Sequence, residues 1–290
     1  MGKFKEGTRV RRRDFLQAAG GALGAAAFAS PALAQGGARM PSFDQTPDKP
    51  QSFGYKVSWF AVKASDTSVV LSALEFAAAT PANWASGLAA ASSFGASRSD
   101  PWVFASPPVS GWVLVVGFWL PYPASIEPQR GLGRKFDVLF SRLMKQFEDV
   151  QFFGSYRVVD FAAWARSLQG KSVRMFAYAE GEVFANVGEQ TPEEAKLRFA
   201  NLTGLAPPDA RDKILKITKE QRAEVDALVA RGLSSREARA TVRQNGRTFP
   251  REQDVVELAA LWSIDPTQLS KQELPLGLGL AARLPKDWMQ

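Results

Sequence analysis

The chain has 290 residues, a formal charge of +7, and neither cysteine nor histidine. Without cysteine there are no disulfides, iron–sulfur ligands or lipid-anchored cysteines. Without histidine, Ser-His-Asp and Cys-His catalysis, ordinary zinc and copper sites and His-ligated haem are excluded. With 46% hydrophobic residues the chain can bury a core of one large domain or two small ones. Any metal would have to be a hard, oxygen-bound ion, and no D-x-D-x-D run offers one a home. The expectation is therefore no metal and no cofactor.

Arg11-Arg12-Arg13-Asp14-Phe15-Leu16-Gln17, then an Ala/Gly stretch from Ala18 to Ala29, then Ser30-Pro31-Ala32-Leu33-Ala34 before Gln35, resembles a twin-arginine export signal. Arg12 and Arg13 are its pair, and cleavage is expected between Ala34 and Gln35. The apolar run is shorter than the ~18–20 residues that span a bilayer. Its glycines weaken the alternative of a buried helix. The expected address is periplasmic or secreted, with no transmembrane helix in the mature chain. Residues 1–34 hold six Lys/Arg and two Asp/Glu, so about +3 remains on the mature protein. That bias is too weak to argue for nucleic acid.

Residues 35–52 are Gly/Pro-rich and polar, and read as a flexible linker. An α+β domain is expected over 53–190. Tyr55 to Lys63 is aromatic and β-branched, a strand; Asp66 to Ala78 reads as a helix with Val69, Val70, Leu74 and Ala77 on one face. Residues 79–100 read as loop. Trp102 to Ala105 and Gly111 to Leu120 are strands, and the second is apolar throughout, as in a sheet covered on both faces. Lys135 to Asp149 is amphipathic, with Phe136, Leu139, Phe140, Leu143, Met144 and Phe147 in one stripe. Val150 to Tyr156 returns to strand. The order βαββαβ predicts a ferredoxin-like sheet with two helices on one face, or another α+β connectivity.

A hairpin extends this sheet: Arg157 to Leu168 and Lys171 to Glu182 meet at Gln169-Gly170, where glycine allows positive φ. One register sets Phe161 opposite Tyr178 and Arg157 opposite Glu182. Sliding it by one opposes Arg166 to Arg174 and Asp160 to Glu180, and like charges directly opposed are destabilising. The first register is therefore expected.

A mainly helical part follows over 191–290. Thr191-Pro192-Glu193-Glu194 is a capping box with proline at its first helical position. Thr218-x-x-Gln221 and Ser234-x-x-Glu237 repeat the box, with Gly232 and Gly246 as stops, which predicts a basic helical hairpin at about 218–245. Arg251 to Trp262 is a further helix, and Glu273 to Gln290 reads as irregular chain.

On the expected register Arg157, Arg174, Tyr178, Glu180 and Glu182 share one hairpin face, with Asp160 on the other. Such a face suits a small ligand or a partner; a solvated face with cross-strand ion pairs is the plainer alternative. Lys196 to Arg251 holds thirteen Lys/Arg against six Asp/Glu. Arg236, Arg239 and Arg243 there form a basic surface for an acidic protein or an anionic membrane, unless the helix pair is merely solvated. Two carboxylates and eight tryptophans also allow glycan hydrolysis, although Trp59, Trp112, Trp119 and Trp262 sit in patterns better read as core. Ser141 and Lys145 lack a nucleophile turn, and Gly277-x-Gly279-x-x-Ala282 lacks a βαβ context.

Residues 150–194 (VQFFGSYRVVDFAAWARSLQGKSVRMFAYAEGEVFANVGEQTPEE) and DVVELAALWSIDP at 254–266 resemble a group of bacterial proteins without an assigned activity. YKVSWFAVKASDTSVVLSALEF and SPPVSGWVLVVG are similar to that group too. The resemblance implies a shared fold and carries no catalytic signature. A non-enzymatic periplasmic binding or interaction module is the leading expectation, and a carboxylate-dependent hydrolase of cell-envelope glycans the alternative.

Overall fold

The computed structural model describes residues 42–92, 101–126, 131–246 and 250–285. Arg12, Arg13, Ala34 and Gln35, on which the export reading rests, lie outside the described residues. The first half of the chain runs β1 (Val57–Lys63), α1 (Thr67–Leu74), β2 (Ala77–Ala82), α2 (Trp84–Ser92), β3 (Trp102–Ala105), β4 (Trp112–Gly117) and α3 (Leu132–Met144). Four strands follow: β5 (Asp149–Tyr156), β6 (Phe161–Leu168), β7 (Lys171–Ala179) and β8 (Glu182–Gly188). Then come α4 (Pro192–Lys196), α5 (Pro207–Ala230), α6 (Ser235–Asn245), α7 (Glu252–Trp262) and β9 (Gly279–Arg283).

The protein is a mixed α+β fold built on one nine-stranded antiparallel sheet, ordered β2-β9-β3-β4-β1-β5-β6-β7-β8. Both faces are covered. On one, Val70, Leu71 and Leu74 of α1 and Phe136, Leu139, Phe140 and Leu143 of α3 pack on Phe60, Val113, Val115 and Phe152. On the other, α2, the start of α5 and α7 bury Trp84, Ile214, Leu258 and Trp262 against Trp59, Leu114, Val116 and Phe153. This double cover explains the uninterrupted apolar run of β4, whose side chains alternate between two cores.

Five local readings change. The first helix stops at Leu74, because Glu75 turns left-handed (φ 57°) and bonds back to Ser72 O, which frees the next residues to form β2. The stretch read as loop after it holds β2 and α2. Residues 42–52, read as a spacer, are packed: the Asp48 carboxylate accepts from Trp84 N (2.7 Å) and Ala85 N (3.0 Å) at the start of α2, and Phe43 meets Trp102 edge-on. The tail is not all irregular, since β9 lies between β2 and β3. It passes close over its neighbours, and a Cβ on Gly279 would come 2.3 Å from Ala105 O. Finally, Thr218 starts no helix. It lies inside α5, where its hydroxyl donates to Ile214 O (2.8 Å), a back-bond available to any helical threonine.

The hairpin register is corrected as well. Leu168 opposes Lys171 and Ser167 opposes Ser172, as expected beside the Gln169-Gly170 turn. A bulge then shifts the pairing by one, so that Arg166 opposes Arg174 and Ala162 opposes Tyr178. The expected repulsion is relieved because each arginine has its own buried carboxylate. Arg166 meets Asp149 at 2.8 Å, and Arg174 meets Glu194 at 3.0 Å.

Candidate functional site

Arg174 belongs to the buried face of the hairpin. Its guanidinium spans both oxygens of Glu194 and also donates to Asn186 Oδ1 and Val187 O. Glu194 is the third residue after the Thr191 cap and closes its capping box, and it accepts from Trp164 Nε1 and Thr191 N. A carboxylate with this many donors has no lone pair left over for acid–base work, and its role is to tie α4 to the sheet.

The other hairpin residues separate by depth. Tyr178 is buried in the same core as Phe176. Burial raises its hydroxyl pKa, helped by the charge of Asp160. Asp160 and Glu180 are exposed on adjacent turns, joined by Glu180 N donating to Val159 O at 3.0 Å. Arg157 is not in a strand: it opens a short 3-10 turn (Arg157–Val159) and its N–H donates to Glu252. It does not face Glu182, which begins β8 and pairs with Arg211 at 3.3 Å. Tyr122, tilted against Phe161 (4.7 Å between rings), lies near the same turns, and burial followed by the charge of Glu180 pushes its pKa up to about 12. The structure thus gathers Asp160, Tyr178, Glu180 and Glu182 near one end of the sheet.

A cleft lies in the basic helical hairpin. Helix α5 starts on Pro207-Pro208 and ends in a Schellman turn, with Gly232 at φ +99° and Leu233 N donating to Leu228 O (3.2 Å). The Ser234–Glu237 box then starts α6, as its sequence signature predicts. Only the first turns of α5 reach the sheet, where Ala210 and Ile214 are buried; beyond them its half-buried stripe faces α6. Between α5, α6 and the start of α7 lies an open cleft of about 480 Å³.

Four arginines line this cleft: Arg222 from α5, Arg239 and Arg243 from α6, and Arg251 before α7. Two carboxylates, Asp226 and Asp254, line it too. Asp254 is 1% exposed, and its oxygens accept from Arg243 Nη2 (3.0 Å) and Arg251 N (2.8 Å). Arg243 is therefore a fixed wall of the cleft and less free than a surface cation, whereas Arg236 is exposed and outside the lining. Arg222 and Arg239 are exposed and form no ion pair among the described residues. Of the three basic residues named from sequence, the cleft brings together Arg239 and Arg243. Sequence reasoning missed Arg222, Arg251 and Asp254. The faint signal was Asp254 three residues after Arg251, at the position that caps a helix.

Among the described residues no group of three or more Asp or Glu side chains is placed to hold a metal ion, and no helix is long and apolar enough to cross a membrane. Comparison with protein-family models, curated proteins and solved structures finds no match for this chain.

Proposed function

We propose that this protein is a non-enzymatic binding module, exported to the periplasm, whose basic helical hairpin engages an acidic protein partner. The observation that carries this reading is the convergence of Arg222, Arg239, Arg243 and Arg251 on one cleft, with ion pairing among the described residues at Arg243 alone. Cations left without an ion-pair partner raise a local positive potential that steers and selects an acidic surface.

An anionic membrane suits the hairpin less well. Interfacial helices need an apolar face with bulky residues. Helices α5 and α6 contain no aromatic residue, and their exposed large apolar side chains are Leu215 and Val229. Glycan hydrolysis also lacks a supporting observation. The buried carboxylates Asp149, Glu194 and Asp254 are each held by an arginine, an arrangement that favours a structural pair over an acid–base pair.

Export rests on the order of residues in 1–34, with Arg12 and Arg13 as the twin-arginine pair and cleavage before Gln35. A Lys-Lys replacement of that pair is expected to hold the protein in the cytoplasm. The β3-β4-β1-β5 order, with α1 and α3 on one face, supports reading this part as a ferredoxin-like core enlarged at both sheet edges. Kinship with the group of bacterial proteins of unassigned activity belongs to the same proposal.

The test is native mass spectrometry of the mature protein purified gently from the periplasm, beside R222E/R239E. The expected result is a stoichiometric acidic partner that the variant loses. A bare monomer from both preparations at low salt would overturn the reading.

A further inference from the structure

We infer that the cleft between α5 and α6 is a carboxylate-recognition site that takes the glutamate side chains of an extended acidic peptide segment. This rests on the binding-module reading and gives that module a specific chemistry.

Volume comes first. About 480 Å³ falls within the range of about 300–1,000 Å³ typical of ligand pockets, so the cleft holds several side chains and is larger than a lone ion needs. Its walls are then suited to carboxylates. Guanidinium groups bind carboxylates through two parallel hydrogen bonds, and Arg222 and Arg239 reach the cleft from different helices. Arg243 is oriented by Asp254, which is itself fixed to the start of α7. The apolar lining, Val225, Ala240 and Val242, gives the methylene groups of glutamate a surface on which aspartate has less to place.

The negative groups in the lining sharpen the choice of anion. Asp254 is engaged by Arg243 and by a backbone N–H, but Asp226 is an exposed carboxylate at the cleft. A dianionic phosphate meets that charge more strongly than a single carboxylate does. The four arginines and two aspartates leave a moderate positive excess, which fits separated monoanions in a row.

The experiment uses the full-length protein and a fluorescein-labelled octaglutamate peptide, with binding read by fluorescence anisotropy at fixed ionic strength. R222A and R239A are each expected to raise Kd at least fivefold, with R222K giving partial recovery. R236A, outside the lining, is expected to change Kd less than twofold. Because Arg222, Arg236 and Arg239 are exposed, circular dichroism of these variants is expected to match the parent. Equal losses for all three alanine variants would mean diffuse attraction and would overturn the site. Displacement of the peptide by pyrophosphate more readily than by free octaglutamate would do the same in favour of phosphate. A sedimentation mass that rises with concentration and falls in R222A would name a second copy as the occupant, and would also overturn it. If the native complex forms while octaglutamate does not bind, the cleft assignment fails and the binding-module reading stands.

Discussion

Arg166 and Arg174 stand directly opposite each other on β6 and β7, and each turns to a different buried carboxylate, Asp149 and Glu194. Two like charges in register cost stability on an open sheet. Here each is neutralised from a different element: Asp149 lies on β5, and Glu194 lies on α4. Arg166 also lies over the Trp262 ring, so the pair ties β5, α4 and α7 to the hairpin.

Removing one member of the Arg174–Glu194 pair is expected to be far worse than losing a surface ion pair. R174A leaves Glu194 buried and charged and is predicted to cost about 3–5 kcal/mol, measured by urea unfolding. R211A, which breaks the partly exposed pair with Glu182, is expected to cost far less in the same assay, because solvent screens that pair. Equal effects would refute the buried pair as the stronger tie.

The bulge that creates this register has a second requirement. Gly188, opposite Arg174, has φ +83°, and a Cβ there would stand 2.0 Å from Val173 O. G188A should therefore destabilise the fold by roughly 2 kcal/mol or more, through backbone strain and forced movement of the bulge. G181A, in a turn with open space around it, should show the φ penalty without the clash and cost less.

Two threonines with the same sequence signature should part company. Thr191 caps α4, its hydroxyl accepting from Glu194 N at 3.2 Å, and T191A is predicted to cost about 1 kcal/mol. Thr218 lies within α5, and T218A should be neutral or slightly stabilising because alanine is the better helix former. Thermal unfolding of the two variants checks this pair of outcomes.

Alkaline stability should carry the mark of Tyr122. Its folded pKa, about 12, exceeds the ordinary value of 10.0 because burial, then Glu180, disfavours the phenolate. The folded state thus holds this proton more tightly than the unfolded state. The contribution is complete below pH 10 and is lost as pH rises from about 10 to about 12. Absorbance at 295 nm should show a late tyrosine phase that Y122F lacks, and Y122F should lose less stability across that window.

Much of this fold is written in local pattern. The stripe of Phe136, Leu139, Phe140 and Leu143 announces a one-sided helix, and the solid run of Val113 to Val116 announces a doubly covered strand. The Gln169-Gly170 turn and the Thr191 and Ser234 boxes are short-range signals whose partners lie within a few residues. The candidate site was half legible. Arg239 and Arg243 stand out in a basic segment, but Arg222 and Arg251 join them only because α5 runs straight through Thr218 and returns at Gly232.

Sequence by itself determined the absence of cysteine and histidine chemistry, the α+β alternation and the Thr191 and Ser234 helix caps, because each depends on residue identity or on neighbours three or four positions away. Tertiary structure decided what depends on distant partners. The Gly/Leu/Ala-rich tail became β9 because β2 and β3 flank it with unpaired backbone groups, and residues 42–52 became ordered because α2 needed Asp48. Arg166 could face Arg174 only once Asp149 and Glu194 had been brought to them across 17 and 20 residues. Local charge rules disfavour such a register, and ion pairing with buried carboxylates from outside the hairpin makes it stable.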